Sequence, residues 1–351
     1  MTRTVAVRLD SMGDVLLAGP AVRALAASSH VDMLVGPQGR DAADLLPGVD
    51  DVVCWTAPWI VGDPGPVRRH DVESVVDELA RRRYDRAVVF TSFHQSALPT
   101  ALVLRMAGVA WVAGVSEDYP GSLLDVRHPP PGDVPEAVRA LELAAACGAQ
   151  LPPGDDGRLH VRHEVLRHVA RPVPEPYVVV HPGTSVPARA WPAERHRAAC
   201  AALSALGHRV VVTGGPDEAA LTAYVADASA TGAVDLGGRT DLRRLAGVLA
   251  AADAVVVGNT GPAHLAAAVG TPVVSLFAPT VPAARWAPYG VPTALLGDQR
   301  AACAATRATR CPVAGHPCLN SVEPMAVVEA VRQLVGRPVG APGVTAQRSS
   351  S

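Results

Sequence analysis

Residues 254–272 read Ala-Val-Val-Val-Gly-Asn-Thr-Gly-Pro-Ala-His-Leu-Ala-Ala-Ala-Val-Gly-Thr-Pro, and this stretch decides the fold. The apolar run 254–257 is short and unbroken, the pattern of a strand buried on both faces. Thr260 can cap a helix, and Pro262 suits its first turn, where a missing N–H does no harm. Gly270 can end that helix in the left-handed conformation, with Pro272 beyond it. A second apolar run at 273–276 completes strand, loop, helix, strand. In open α/β sheets ligands bind beyond the carboxyl ends of strands. A helix N-terminus, a glycine, a hydroxyl and His264 meet there, so the stretch reads as an anion site suited to a phosphate group.

The same alternation extends outward. Strands are expected at 177–181, 209–213 and 234–236, with helices starting at Trp191-Pro192 and spanning 217–228 and 242–250, the last capped by Thr240. Residues 151–176 hold prolines and charges without a continuous pattern and read as a linker. Before them, strands at 5–9, 31–35, 52–54, 87–90 and 111–115 alternate with helices at 15–27, 42–46, 72–83, 97–106 and 134–147. Alternation of this kind marks parallel sheets covered on both faces. The expected architecture is α/β: two Rossmann-like, doubly wound domains, 1–165 and 166–336, facing a cleft, with a frayed tail at 337–351.

Composition agrees. A chain of 351 residues is long for one domain and comfortable for two, and 49% hydrophobic residues can fill two cores. The formal charge of −2 argues against nucleic acid as a partner. All 31 basic residues are arginine, which reads as the codon bias of a GC-rich genome. No apolar stretch reaches membrane-spanning length, and the N-terminus runs straight into a strand without a signal peptide. A cytoplasmic protein with six cysteine thiols is expected.

Several residues could carry chemistry. Gly13-Asp14 sits where the first strand hands over to the first helix. Asp14 is either a first-turn acid that suits the helix dipole or a carboxylate acting as general base. The segment has no G-x-G-x-x-G, which counts against a dehydrogenase. In the loop 181–192, Thr184 and Ser185 offer hydroxyls. Arg189 offers either a fork for phosphate oxygens or a solvated loop cation. Trp191-Pro192 reads as core and helix start. Glu218 reads first as the acid of its helix's opening turn, and alternatively as a ribose acceptor. His264, beside the anion site, reads as a donor. Cys303, Cys311, His316 and Cys318 lack a zinc knuckle and read as a packed loop before a metal site. Trp55, Trp59, Ile60, Arg68 and Arg69 read as a loop packed on its own domain, or else as a contact for an amphipathic acceptor or a membrane surface. Neither H-E-x-x-H nor G-x-S-x-G is present.

In order along the chain, Ser11-Met12-Gly13-Asp14-Val15-Leu16, His181-Pro182-Gly183 with Trp191-Pro192, Gly214-Gly215-Pro216, Leu236-Gly237-Gly238-Arg239-Thr240, the run 259–268, Phe277-Ala278-Pro279-Thr280 and Cys311-Pro312 with His316-Pro317-Cys318-Leu319 resemble glycosyltransferase family 9, the heptosyltransferases that use ADP-heptose in lipopolysaccharide core assembly. The resemblance covers nearly the whole chain. It implies a glycosyltransferase B fold, with the acceptor on the amino half and the nucleotide sugar on the carboxyl half. It implies an inverting, metal-independent sugar transfer with Asp14 as base and Gly13 beside it on the acceptor side. Thr184, Ser185, Arg189, Glu218, Asn259, Thr260, Gly261, Pro262 and His264 would hold the nucleotide sugar, with Arg189 where a basic residue binds the diphosphate. Asn259 departs from the aspartate of other members; it keeps an acceptor oxygen and adds donors. No cofactor beyond an ADP-linked co-substrate is implied, and the enzyme is expected as a monomer with transient contact at the inner membrane surface. The alternatives are a nucleotide-sugar epimerase or hydrolase of the same fold, a non-catalytic sugar-nucleotide binder and, more distantly, a dehydrogenase.

Overall fold

The computed structural model describes residues 1–130, 132–167, 171–174 and 176–336. Residues 337–351, read above as a tail, lie outside the described residues. The chain divides into two compact units, with the division between His163 and Glu164.

The first unit carries β1 (Thr2–Arg8), α1 (Met12–Leu17), α2 (Gly19–Ala26), β2 (Ser29–Val35), α3 (Arg40–Leu45), β3 (Asp51–Cys54), α4 (Arg69–Arg82), β4 (Arg86–Val89), α5 (Leu98–Met106), β5 (Trp111–Val115), β6 (Val126–His128) and α6 (Glu136–Ala146). Its six strands form one parallel sheet in the order β3-β2-β1-β4-β5-β6. Val5, Val7, Leu34, Ala87 and Val89 of the central strands are buried in its core. The helix expected over 15–27 is two helices. Pro20 has no N–H to give to the carbonyl four residues earlier, so the first helix stops at Leu17 and a second begins at Gly19. The loop after β3 packs inward. Trp55 and Trp59 meet edge to face at 5.1 Å, and the Trp59 indole N–H donates to Thr100 Oγ1 at 3.2 Å.

A short helix, α7 (His163–Leu166), spans the division. The second unit continues with β7 (Tyr177–His181), α8 (Ala193–Ala205), β8 (Arg209–Val212), α9 (Ala219–Ala226), α10 (Ala228–Thr231), β9 (Val234–Asp235), α11 (Leu242–Ala250), β10 (Ala254–Gly258), α12 (Gly261–Ala268), β11 (Val273–Leu276), α13 (Ala283–Trp286), β12 (Thr293–Leu296), α14 (Pro317–Asn320) and α15 (Pro324–Val335). Its strands form a second parallel sheet, β12-β11-β10-β7-β8-β9. Every residue of β7 and β10 is buried, as the unbroken apolar runs require. Gly270 closes α12 at φ +83°, a conformation that costs a residue without Cβ nothing. Trp191 is buried and Pro192 precedes α8. The cap of α11 is Asp241, not the expected Thr240: the Asp241 carboxylate accepts the Arg244 N–H at 2.7 Å.

The two sheets share one topology. In each, the chain builds outward from the first strand and then crosses back to build on its other side. Strand order therefore reverses between β1 and β4, and again between β7 and β10. These are the positions at which doubly wound sheets open a crevice for ligands. Among the described residues, no helix is long and apolar enough to cross a membrane.

Candidate active site

In the first unit, the crevice beyond β1 and β4 is filled by charge. Arg8 ends β1 and is 2% exposed. Its Nε pairs with Asp10 Oδ2 at 2.8 Å, and its Nη2 donates to Asp14 Oδ1 and to Ser92 Oγ, each at 2.9 Å. Nη1 faces Glu136 Oε2 of α6 at 3.7 Å. Burial opposes the guanidinium's charge, but Asp10, Asp14 and Glu136 outweigh it and hold the proton more firmly than usual. Asp14 lies in the first turn of α1 with its side chain 17% exposed, and its Oδ2 accepts the Ser11 hydroxyl at 2.8 Å. Gly13 beside it is buried. Burial pushes the Asp10 carboxyl up, against the pull of Arg8. Asp14 is thus a first-turn acid, as one reading expects, and its partly exposed carboxylate is held by a buried cation.

In the second unit, the crevice beyond β7 and β10 opens into a cavity of about 310 Å³. That size is in the range of small-molecule sites. His181, Ser185, Gly214, Gly215, Glu218, Thr240, Asp241, Leu242, Leu245, Thr260 and Pro262 line it. His181 ends β7, with Nδ1 3.0 Å from Thr213 Oγ1 and Nε2 3.8 Å from Glu218 Oε2. Burial lowers its pKa, although Glu218 pulls the other way. Glu218 Oε2 also accepts the Gly215 N–H at 2.8 Å, a capping-box contact at the start of the helical turn. Glu218 is therefore the first-turn acid expected, and at the same time a wall of the cavity.

The loop between β7 and α8 is braced from behind. Thr184 Oγ1 accepts the Val186 N–H at 3.3 Å. The Ala188 N–H donates to the Thr309 carbonyl at 3.0 Å, and His316 Nε2 lies 3.1 Å from the Ala188 carbonyl. Arg189 reaches back to the Asn259 carbonyl, Nη1 to O 3.4 Å. Asn259 is buried and directs Nδ2 toward the Ala278 carbonyl at 3.5 Å. Thr260 stands at the N-cap of α12 with its hydroxyl making no cap bond to the helix; Pro262 brings no N–H to the first turn, and the Ala263 N–H donates to the Thr260 carbonyl at 3.0 Å. His264 is buried within the same helix. Cys303 and Cys318 lie against each other with Cys311 near them, while His316 Nε2 is turned to the Ala188 carbonyl, and the four do not meet at metal-binding spacing. Among the described residues, only Asp155, Asp156 and His160 lie at metal-binding spacing, and Asp155 there pairs with Arg23 at 2.6 Å.

A profile of glycosyltransferase family 9 (heptosyltransferase) matches residues 72–315. The chain belongs to glycosyltransferase family 9. Over 107 residues it is 35% identical to lipopolysaccharide heptosyltransferase 3 of Escherichia coli. That match covers 30% of this chain and 32% of the relative, so it spans about a third of the length of the curated protein. A family 9 glycosyl transferase from Veillonella parvula superposes with a TM-score of 0.76 at 18% identity, covering 95% of this chain and 97% of that one. E. coli ADP-heptose lipopolysaccharide heptosyltransferase II gives 0.72 at 20% identity, over 95% and 98%. E. coli heptosyltransferase WaaC with ADP-2-deoxy-2-fluoro heptose gives 0.71 at 21%, over 95% and 99%. The fold is the glycosyltransferase B type of these enzymes.

Of the family 9 residues picked out from sequence, Ser185, Glu218, Thr260 and Pro262 line the cavity. Thr184, Arg189, Asn259, Gly261 and His264 belong to the same loops and helix without being among its lining residues. Sequence reading passed over His181, Asp241 and the whole set that surrounds Asp14: Arg8, Asp10, Ser92 and Glu136. A charged residue ending an otherwise apolar strand, followed by Asp10 and Asp14, was the one local signal for that set.

Proposed function

We propose that this enzyme moves a heptose or similar sugar from an ADP-linked donor to a hydroxyl of a glycan or small-molecule acceptor, with inversion and without a metal. The observation that carries the reading is the cavity beyond β7 and β10, where a helix start and a carboxylate share one wall. Glu218 suits the two hydroxyls of a ribose, and the apolar Leu242, Leu245 and Pro262 suit a flat base. The start of α12, with Arg189 and the Thr184 and Ser185 hydroxyls, supplies donors for a diphosphate. The names of the relatives point to ADP-heptose as the donor and lipopolysaccharide as the acceptor class.

In this mechanism Asp14 takes the proton from the acceptor hydroxyl as its oxygen attacks the anomeric carbon. The bond from that carbon to the diphosphate breaks, and ADP leaves with the electron pair. Attack from the face opposite the leaving group inverts the centre. A positioned base is worth about 10²–10⁴ in rate. Fixed donors around the departing diphosphate stabilise charge where it develops. Thermal shift and calorimetry against ADP-, GDP-, UDP- and dTDP-sugars, followed by mass spectrometry of products with truncated lipopolysaccharide cores, test the reading. Selective stabilisation by ADP-heptose and a product heavier by one heptose are expected. Preference for another nucleotide, or donor consumption without an acceptor product, contradicts it.

A further inference from the structure

Arg8 is an expensive residue to place at the end of a buried strand. Taking a guanidinium out of water costs several kcal/mol, and well-packed apolar residues often do as well or better for stability. Here one buried cation serves carboxylates from three places: Asp10 in the loop after β1, Asp14 in the first turn of α1, and Glu136 at the start of α6. The same Nη2 that meets Asp14 also meets Ser92 beyond β4. The guanidinium plane is thereby fixed on several sides, and it fixes Asp14 in turn.

We propose that Arg8 is the positioning residue of Asp14: it occupies Oδ1, sets the carboxylate's orientation, and makes Oδ2 the atom that receives the acceptor's proton. The inference rests on the reading of Asp14 as base. A carboxylate's terminal torsion is broad unless something holds it. A charged N–H on Oδ1 holds it and lowers the basicity of that oxygen. Oδ2 instead carries the neutral hydroxyl of Ser11, an exposed residue. When the acceptor O–H bond breaks and its oxygen bonds to the sugar, the proton goes to Oδ2. The Ser11 hydroxyl can then rotate and pass it to solvent, so no further reactant is needed.

Charge in the cluster gives the test its sign. The groups facing Asp14 and Arg8 include Asp10, Glu136, Arg139, whose Nη1 is 3.9 Å from Glu136 Oε1, and the neutral Ser11, Ser92 and Gln95. Removing the Arg8 charge leaves like-charged carboxylates facing one another, which favours protonation. Three variants are compared: Arg8→Lys, Arg8→Gln, and Arg8→Gln with Glu136→Gln, in which a second buried charge is neutralised to preserve folding. Asp14 is followed without substrate by ¹³C NMR titration of its labelled carboxyl, assigned with Asp14→Asn. ADP release from ADP-heptose with a truncated lipopolysaccharide core as acceptor is followed against pH.

In whichever Arg8→Gln form folds, the Asp14 midpoint should rise by at least one pH unit. The acid limb of ADP release should move with it, the maximal rate should fall at least tenfold, and ADP affinity should stay within twofold. Arg8→Lys keeps charge without the fork, so it should hold the midpoint and still lose rate. Wild-type midpoints and rates in Arg8→Lys and the folded Arg8→Gln form, beside an inactive Asp14→Asn, overturn this inference alone. A fully active Asp14→Asn overturns the base assignment as well.

Discussion

The Glu218 carboxylate fills the space that a side chain at Gly183 would need: Oε1 lies 1.9 Å, and Oε2 2.4 Å, from where a Cβ on Gly183 would stand. The glycine after His181-Pro182 is thus a socket for an acid that arrives from the next strand–helix loop. The obstacle is the far end of a flexible side chain, which can swing away at little cost to the fold. Gly183→Ala should therefore fold with nearly wild-type stability and still lose the carboxylate's position in the cavity. We expect ADP binding to weaken about tenfold, matching Glu218→Ala, with the double variant no worse than either single. Calorimetry on the three proteins checks it; additive losses would show that the two residues act separately.

In the proposed reading Arg189 and the start of α12 hold the diphosphate, so their effect should grow with phosphate charge. Arg189→Ala should weaken ADP binding at least tenfold and AMP binding by less than threefold. Equal losses for the two nucleotides, measured by titration calorimetry, would assign Arg189 to holding the Asn259 loop instead.

His196 gives a stability prediction independent of catalysis. It is buried, stacked edge-on against Trp191 at 4.7 Å, and its pKa is lowered to about 3, first by burial and then by His181. Above its ordinary value of 6.5 the imidazole is neutral in both folded and unfolded chains. As pH falls from 6.5 toward 3, the unfolded chain takes a proton that the folded one does not, and stability is lost over that window. One proton corresponds to about 1.4 kcal/mol per pH unit. His196→Phe should remove that uptake, so its stability should fall by about 2 kcal/mol less than the wild type's between pH 7 and pH 4.5. Urea unfolding at the two pH values decides it; parallel losses in both proteins would contradict the assignment.

Much of this architecture is legible in the chain because the signals are local. Unbroken apolar runs such as 254–257 mark strands buried on both faces, and Pro262 and Gly270 mark where α12 begins and ends. Boundaries slipped where two local rules compete. Thr240 and Asp241 can both cap α11, and the backbone leaves only the second in place. The apolar spacing of 15–27 runs straight through Pro20, where the ladder must break. The charge cluster around Asp14 was invisible for a different reason. Arg8 meets Ser92 across 84 positions and Glu136 from a still more distant helix, so no window of sequence contains the contact. Likewise, Glu218 carries a first-turn acid's signature, and only the sheet's switch point makes it a cavity wall.

The central claim is that Asp14 is the proton acceptor of a sugar transfer whose donor is held by the second unit. Asp14→Asn measures it most directly, since the amide keeps the size of the side chain and loses the basic oxygen. With ADP-heptose and the acceptor identified by product mass, the rate of transfer should fall by about 10²–10⁴ while ADP-heptose affinity by calorimetry stays within twofold. Transfer at the wild-type rate by Asp14→Asn, or a loss explained wholly by weaker donor binding, would contradict the account.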